Sequence, residues 1–195
     1  MSAANHGNFT PAGLALAERV ANVLAQHHVD SALIGAAALA VYNYPRSTED
    51  VDLAVGIPPN RLVEMAADLS RHGLQVDVAL PDPQDPLGGV LRVSEGKLER
   101  VEVVNFDNPP AGGFPALVEA ALRDALPVGH DTTLRVVTFA HLIVFKLYAG
   151  GYKSKSDVLE LLRRNPSVDL HQIRAECGRF RLDRKLDAWL RELHG

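Results

Sequence analysis

Cysteine is almost missing from this chain: its 195 residues include one, Cys177. A single thiol cannot build an internal disulfide framework, so a packed core must hold the fold, and a reducing cytoplasm is the expected setting. Long apolar runs are missing too. No stretch approaches the ~18 uninterrupted apolar residues of a membrane span, so no membrane partner is expected. The first residues show no basic segment followed by an apolar run, so no signal peptide is expected. Repeats and low-complexity tracts are absent. There is no P-loop and no Gly-x-Ser-x-Gly elbow. The eight histidines have no metal-ligand spacing with the lone cysteine. The one tryptophan, Trp189, falls at helical spacing with Leu186, Leu190 and Leu193, which reads as packing and not as a platform for a base.

What remains is an ordinary globular composition, 47% hydrophobic and 23% charged. The length suits one domain, or a core with a helical appendage. The net charge of −4 is unevenly spread: residues 1–145 hold 9 basic and 17 acidic side chains, residues 146–195 hold 11 and 7. An acidic front suits metal binding and a basic back suits phosphate or nucleic acid, although solvated basic helix faces would give the same imbalance.

Apolar spacing predicts a helix over 12–28, started by Thr10-Pro11 as cap and first helical residue. Residues 31–34 read as a short strand broken at Gly35, and 36–42 as a helix. Asp50-Val51-Asp52-Leu53-Ala54-Val55 alternates as a strand does. Pro58-Pro59 ends it, Asn60 is the expected cap of a helix over 61–71, and Gly73 its stop. Further strands are expected over 74–80, 89–94 and 101–106, with turn material over 81–86 and a hairpin at Glu95-Gly96-Lys97. Beyond Pro109-Pro110 the segments 115–126, 138–149, 155–164, 169–177 and 181–193 read as helices, with Thr138 and Asp169 as caps. The expected fold is α/β: a small mixed sheet with packed helices over 1–110, then a helical region over 111–195.

Asp50 and Asp52 are two apart on a strand, so both carboxylates project from one face, roughly 7 Å apart along the chain. Like charges so placed repel, and a divalent cation such as Mg²⁺ would remove that cost. An edge strand with a solvated acidic face would show the same short pattern. The neighbouring segments favour chemistry: a glycine turn between strand and helix lets a phosphate approach a helix N-terminus, and Arg46-Ser47-Thr48 leads directly into the pair.

Taken together, Leu33-Ile34-Gly35-Ala36-Ala37-Ala38-Leu39 and Arg46-Ser47-Thr48-Glu49-Asp50-Val51-Asp52-Leu53 resemble the DNA polymerase β-like nucleotidyltransferases, and within them the small bacterial branch of AbiE-type abortive-infection toxins. Lys146-Leu147-Tyr148-Ala149, Lys153, Lys155 and Asp157-Val158-Leu159-Glu160 resemble the same branch, so the likeness runs from about residue 31 to 164. The resemblance implies the minimal nucleotidyltransferase fold and transfer of a nucleoside monophosphate (NMP) from a nucleoside triphosphate (NTP) to a hydroxyl. Asp50, Asp52 and a third carboxylate would hold Mg²⁺ or Mn²⁺. Glu102 is the best positional match for the third, with Asp77 the rival one strand earlier. Gly35, Ala36, Arg46, Thr48, Lys146, Lys153 and Asp157 would form the nucleotide side, with Arg46 serving phosphate or pairing with Asp50. The implied acceptor is an RNA 3′ end such as tRNA, or a protein, and the implied partner a cognate antitoxin. Two departures bear on catalysis: Ala36 stands where the pattern has Gly or Ser, and Glu102 where it has Asp. They leave open a second reading, a catalytically silent module that binds a nucleotide or a partner protein.

Overall fold

The structure, a computed structural model, describes residues 11–48, 50–82, 85–96, 99–108 and 114–192. Thr10, Glu49, Pro83, Gln84, Lys97, Pro109, Pro110 and Leu193, which figure in the expectations above, lie outside the described residues.

The first helix, α1 (Pro11–Gln26), buries Leu16, Val20, Val23 and Leu24, spaced along one helical stripe. A short β1 (Ala32–Leu33) leads into α2 (Gly35–Val41), then β2 (Asp50–Val55), α3 (Pro59–Arg71), β3 (Gln75–Ala79), β4 (Val90–Glu95) and β5 (Glu99–Asn105). After these come α4 (Pro115–Arg123), β6 (Leu126–Pro127), β7 (Arg135–Val136), α5 (Phe139–Ala149), α6 (Gly151–Arg164), α7 (Leu170–Arg179) and α8 (Asp183–Arg191).

The strands form one seven-stranded mixed sheet in the order β3-β4-β5-β2-β1-β7-β6. β2 runs parallel to β5 at the centre, and β3, β4 and β5 form an antiparallel meander. Alternation divides the sheet sharply. Val51, Leu53, Val55, Val101, Val103, Leu91 and Val93 are all buried on the face packed by α1, with α3 against β3. Their neighbours Asp50, Asp52, Arg100, Glu102, Arg92 and Ser94 therefore share the opposite face.

The structure differs from the sequence reading at several joints. The segment after residue 110 is not wholly helical: β6 and β7 complete the sheet edge, with Leu33 paired to Val136 in parallel. Two-residue strands are too short to show alternation. Asn60 does not cap α3; Pro58 takes that position and Pro59 opens the helix. Gly73 does follow the helix, with φ +83°, a backbone state that favours glycine. Gly150 and Gly151, with φ of +65° and +72°, form a tight corner between α5 and α6. Gly150 closes α5 by donating its N–H to Lys146 O and serves as the N-cap position of α6, so that helix starts four residues before the expected point. Thr138 and Asp169 cap α5 and α7 as their sequence positions suggest, each accepting a backbone N–H.

Candidate active site

Register alone assembles the site. Asp52 lies opposite Glu102, Glu102 opposite Arg92, and Arg92 opposite Asp77. One step along, Asp50 lies opposite Arg100, Arg100 opposite Ser94, and Ser94 opposite Gln75. Two rows of four polar side chains thus cross one face of β2, β5, β4 and β3. Glu102, not Asp77, is the carboxylate next to the aspartate pair; Asp77 is two strands further out.

Asp52 is the most perturbed member. Its carboxyl is pushed up to about 6, first by burial and then by the charges of Glu102 and Asp50, against a lowering by Lys146 and by the Ala36 amide, which donates to it. Asp50 contributes a second anomaly: its Oδ1 is buried and has no hydrogen-bond partner among the described residues. Thr48 holds the entrance to this strand, its hydroxyl donating to Asp50 O at 3.1 Å.

Gly35 owes its identity to Asp52. Its φ is +57°, and a Cβ there would fall 1.8 Å from Asp52 Oδ2. The carboxylate occupies the start of α2, so the Ala36 amide is engaged by Asp52. The expectation that Gly35 and Ala36 form an open phosphate cradle is modified accordingly: the helix start and the carboxylate are one unit.

Arg46 pairs with Asp157 and not with Asp50. Its Nη1 lies 3.3 Å from Asp157 Oδ1, while Lys146 Nζ donates to Asp157 Oδ2 at 2.7 Å. Asp157 is 1% exposed and sits in the second turn of α6, the buried anchor of two cations. The aspartate sets the position of Lys146, a half-buried cation whose charge reaches Asp52. Lys153 is exposed, and Lys155 pairs with Glu192; neither joins this cluster.

Beside Gly35 and Lys146 opens a cavity of 380 Å³, walled by Val104, Phe106, Phe114, Phe145 and Tyr148. The rings pair across the wall, Phe106 with Phe145 at 4.9 Å and Phe114 with Tyr148 at 4.0 Å. Sequence reading missed this wall because the aromatics come from three separate segments: Phe106 after β5, Phe114 before α4, and Phe145 with Tyr148 on α5. It also missed Asn105 and Asn108, which shape the loops around it. Buried Asn105 accepts from Ile57 N and donates to Ile57 O and Gly88 O. Buried Asn108 donates to Asp82 O, Asp85 O and Leu87 O.

Asp50 and Asp52 fit a divalent cation of the Mg²⁺ kind: hard oxygen donors on one face, one buried oxygen without a partner among the described residues, and one carboxyl raised by burial and then by like charge. Glu102 is placed differently, because Arg92 Nε donates to its Oε1 at 3.2 Å. Among the described residues no group of three or more His, Cys, Asp or Glu side chains is gathered to hold one ion.

No family model and no curated protein sequence matches the chain. Solved structures do. A Thermotoga maritima protein described as a nucleotidyltransferase is 15% identical with a TM-score of 0.55, over 82% of this chain and 95% of that one. ANT(2″)-Ia in complex with adenylyl-2″-tobramycin is 14% identical with a TM-score of 0.53, over 88% of this chain and 98% of that one. A nucleotidyltransferase-like antigenic protein from Paracoccidioides brasiliensis is 15% identical with a TM-score of 0.51, over 94% of both chains. The arrangement of sheet and helices in this chain is the nucleotidyltransferase fold.

Proposed function

We propose that the protein is a nucleotidyltransferase that moves an NMP group from an NTP to an acceptor hydroxyl. The observation that carries this reading is the unbalanced carboxylate pair: Asp50 Oδ1 buried without a partner and Asp52 pushed up to about 6, beside a lysine positioned by a buried aspartate. Such an arrangement is costly alone and becomes favourable with a cation and a polyphosphate.

In this reaction the acceptor oxygen forms a bond to the α-phosphorus, the bond from that phosphorus to the bridging oxygen breaks, and pyrophosphate leaves. Asp50 and Asp52 would hold Mg²⁺, which supplies charge neutralisation at the phosphates. Lys146 places a point charge against the triphosphate from the Gly35 side, and Asp157 keeps it there. Glu102, in register with Asp52, takes the proton of the acceptor hydroxyl. The wall of Phe106, Phe114, Phe145 and Tyr148 suits a planar ring.

The finer reading names an RNA 3′ end, such as that of tRNA, as acceptor, with a toxin–antitoxin role. It is supported by the likeness of Arg46 to Asp52 and of Lys146 to Asp157 to the AbiE-type branch, and by the basic balance of residues 146–195. The second reading, a silent nucleotide-binding module, is favoured by the Arg92–Glu102 ion pair and by Ala36. Incubation with each labelled NTP, total RNA and Mg²⁺ separates the two. The enzyme reading expects label on an acceptor, lost in Glu102→Gln while NTP binding stays within a few fold. Binding of Mg²⁺ and NTP by the wild-type protein without transfer to any RNA or protein would select the silent module.

A further inference from the structure

Asp50 and Arg100 are register partners on the same face of adjacent strands, yet they do not pair. Asp50 Oδ1 is buried without a hydrogen-bond partner. Arg100 is exposed and has no ion-pair partner among the described residues. Opposite charges on facing positions of neighbouring strands ordinarily attract. A site that leaves both unsatisfied is arranged for two ligands of opposite sign, a cation at the aspartate and an anion at the arginine.

The surroundings of Arg100 agree with the second half of that statement. It lines a cavity of 460 Å³ with Asp50, Glu102, Arg92, Ser94 and Asp77. Ser94 is its register partner on β4, and Arg92 lies diagonally across from it, within reach of long side chains. Arg92 is half-exposed; its Nε is used by Glu102, and its Nη1 reaches Asp77 at 3.3 Å. The Arg100 guanidinium, the N–H groups that Arg92 does not spend on Glu102 and Asp77, and the Ser94 hydroxyl line one concave patch together with the carboxylates of Asp50, Glu102 and Asp77, and these donors suit the oxygens of a phosphate. This cavity shares no lining residue with the aromatic one beside Gly35 and Lys146. The two cavities flank the carboxylates, so the triphosphate side and this side are separate.

Resting on the nucleotidyl-transfer reading, we propose that the cavity of Arg100, Arg92 and Ser94 is the acceptor subsite, and that it recognises a phosphate group carried by the acceptor next to the hydroxyl that reacts. An acceptor phosphate held at Arg100 and Arg92 keeps the neighbouring hydroxyl over Glu102 and the aspartate pair. A phosphorylated sugar and the last phosphodiester of an RNA 3′ end present the same chemistry to this patch.

Two probes separate those sources: ribose 5-phosphate, and a short single-stranded RNA with a free 3′ hydroxyl. Each is titrated into the full-length protein with Mg²⁺ and a non-hydrolysable NTP present, and Mg²⁺·NTP binding is measured in parallel. At least one probe should bind, and Arg100→Ala should weaken it about tenfold. Arg100→Lys, which keeps the charge and loses the fork, should recover part of that. Arg92→Ala should weaken it as well, and Mg²⁺·NTP affinity should be unchanged in Arg100→Ala. RNA binding alone names a polynucleotide acceptor, and ribose 5-phosphate binding alone names a small one. The proposal is overturned if neither probe binds, if both bind Arg100→Ala as well as wild type, or if Arg100→Ala loses Mg²⁺·NTP instead, which would assign this arginine to the triphosphate. Failure of the wild-type protein to bind Mg²⁺·NTP counts against the transfer reading itself, and the phosphate subsite is then decided by the probe titrations alone.

Discussion

Two groups of charges lie within reach of each other, and they are built in opposite ways. On the helices, Asp157 is buried and holds Lys146 and Arg46, so its negative charge is matched by cations at 2.7 and 3.3 Å. On the strands, Asp50 and Asp52 share a face with Glu102; Lys146 is committed to Asp157 and Arg92 to Glu102 and Asp77, while Arg100, the register partner of Asp50, has no ion-pair partner among the described residues. The helix cluster is complete without a ligand, and the strand cluster is not. The helix cluster fixes the position of its cations and the strand cluster waits for one, and each can be tested by removing one member.

The largest effect is expected at the complete cluster. Asp157→Ala leaves Lys146 and Arg46 facing one another without their anion, and breaking a buried pair in this way costs about 3–5 kcal/mol. Chemical denaturation should show the loss directly; a variant as stable as wild type would mean that the cluster is not structural.

At the incomplete cluster the sign reverses. Well below pH 4 Asp52 is protonated in both folded and unfolded chains, and its ionisation costs nothing. As pH rises through the ordinary value of 3.8 towards about 6, the unfolded chain ionises first and the folded state loses relative stability. The full cost, roughly 2–3 kcal/mol, stands above pH 6. Asp52→Asn should therefore stabilise the metal-free protein at pH 7, and the gain should shrink through pH 4 and vanish well below it. A gain of equal size at both values would trace it to something other than charge.

Gly35→Ala joins the two ideas of strain and charge. The φ of +57° and the 1.8 Å approach to Asp52 Oδ2 should cost about 1–2 kcal/mol in backbone strain alone, and displacing the carboxylate from the Ala36 amide should weaken Mg²⁺-dependent nucleotide binding. The smallest effect on stability belongs to Glu102→Gln, within about 0.5 kcal/mol, because the site is open and Arg92 can still donate to the amide oxygen. Equal stability with lost transfer is the expected pair of results there.

Much of this frame could be read from residues. Alternation over 50–55 placed the aspartates on one face, and the strand at 101–106 put Glu102 on the same side, because side-chain period is fixed once a strand is recognised. The helices of the C-terminal half were visible through their caps and apolar spacing. Other features depend on register and on distant segments. Nothing local in Val90-Leu91-Arg92-Val93 says that Arg92 will meet Glu102; only the β4–β5 pairing does. The partner of Arg46 is 111 residues away, and the aromatic wall is gathered from three segments. β6 and β7 are two residues each, too short for any periodic signal.

The most direct test of the whole account is calorimetry of Mg²⁺ and NTP binding to the protein with Asp50 and Asp52 both changed to Asn. The account predicts a folded protein, more stable at pH 7 than wild type, that has lost Mg²⁺-dependent NTP binding. Unchanged NTP affinity in that folded variant would contradict it.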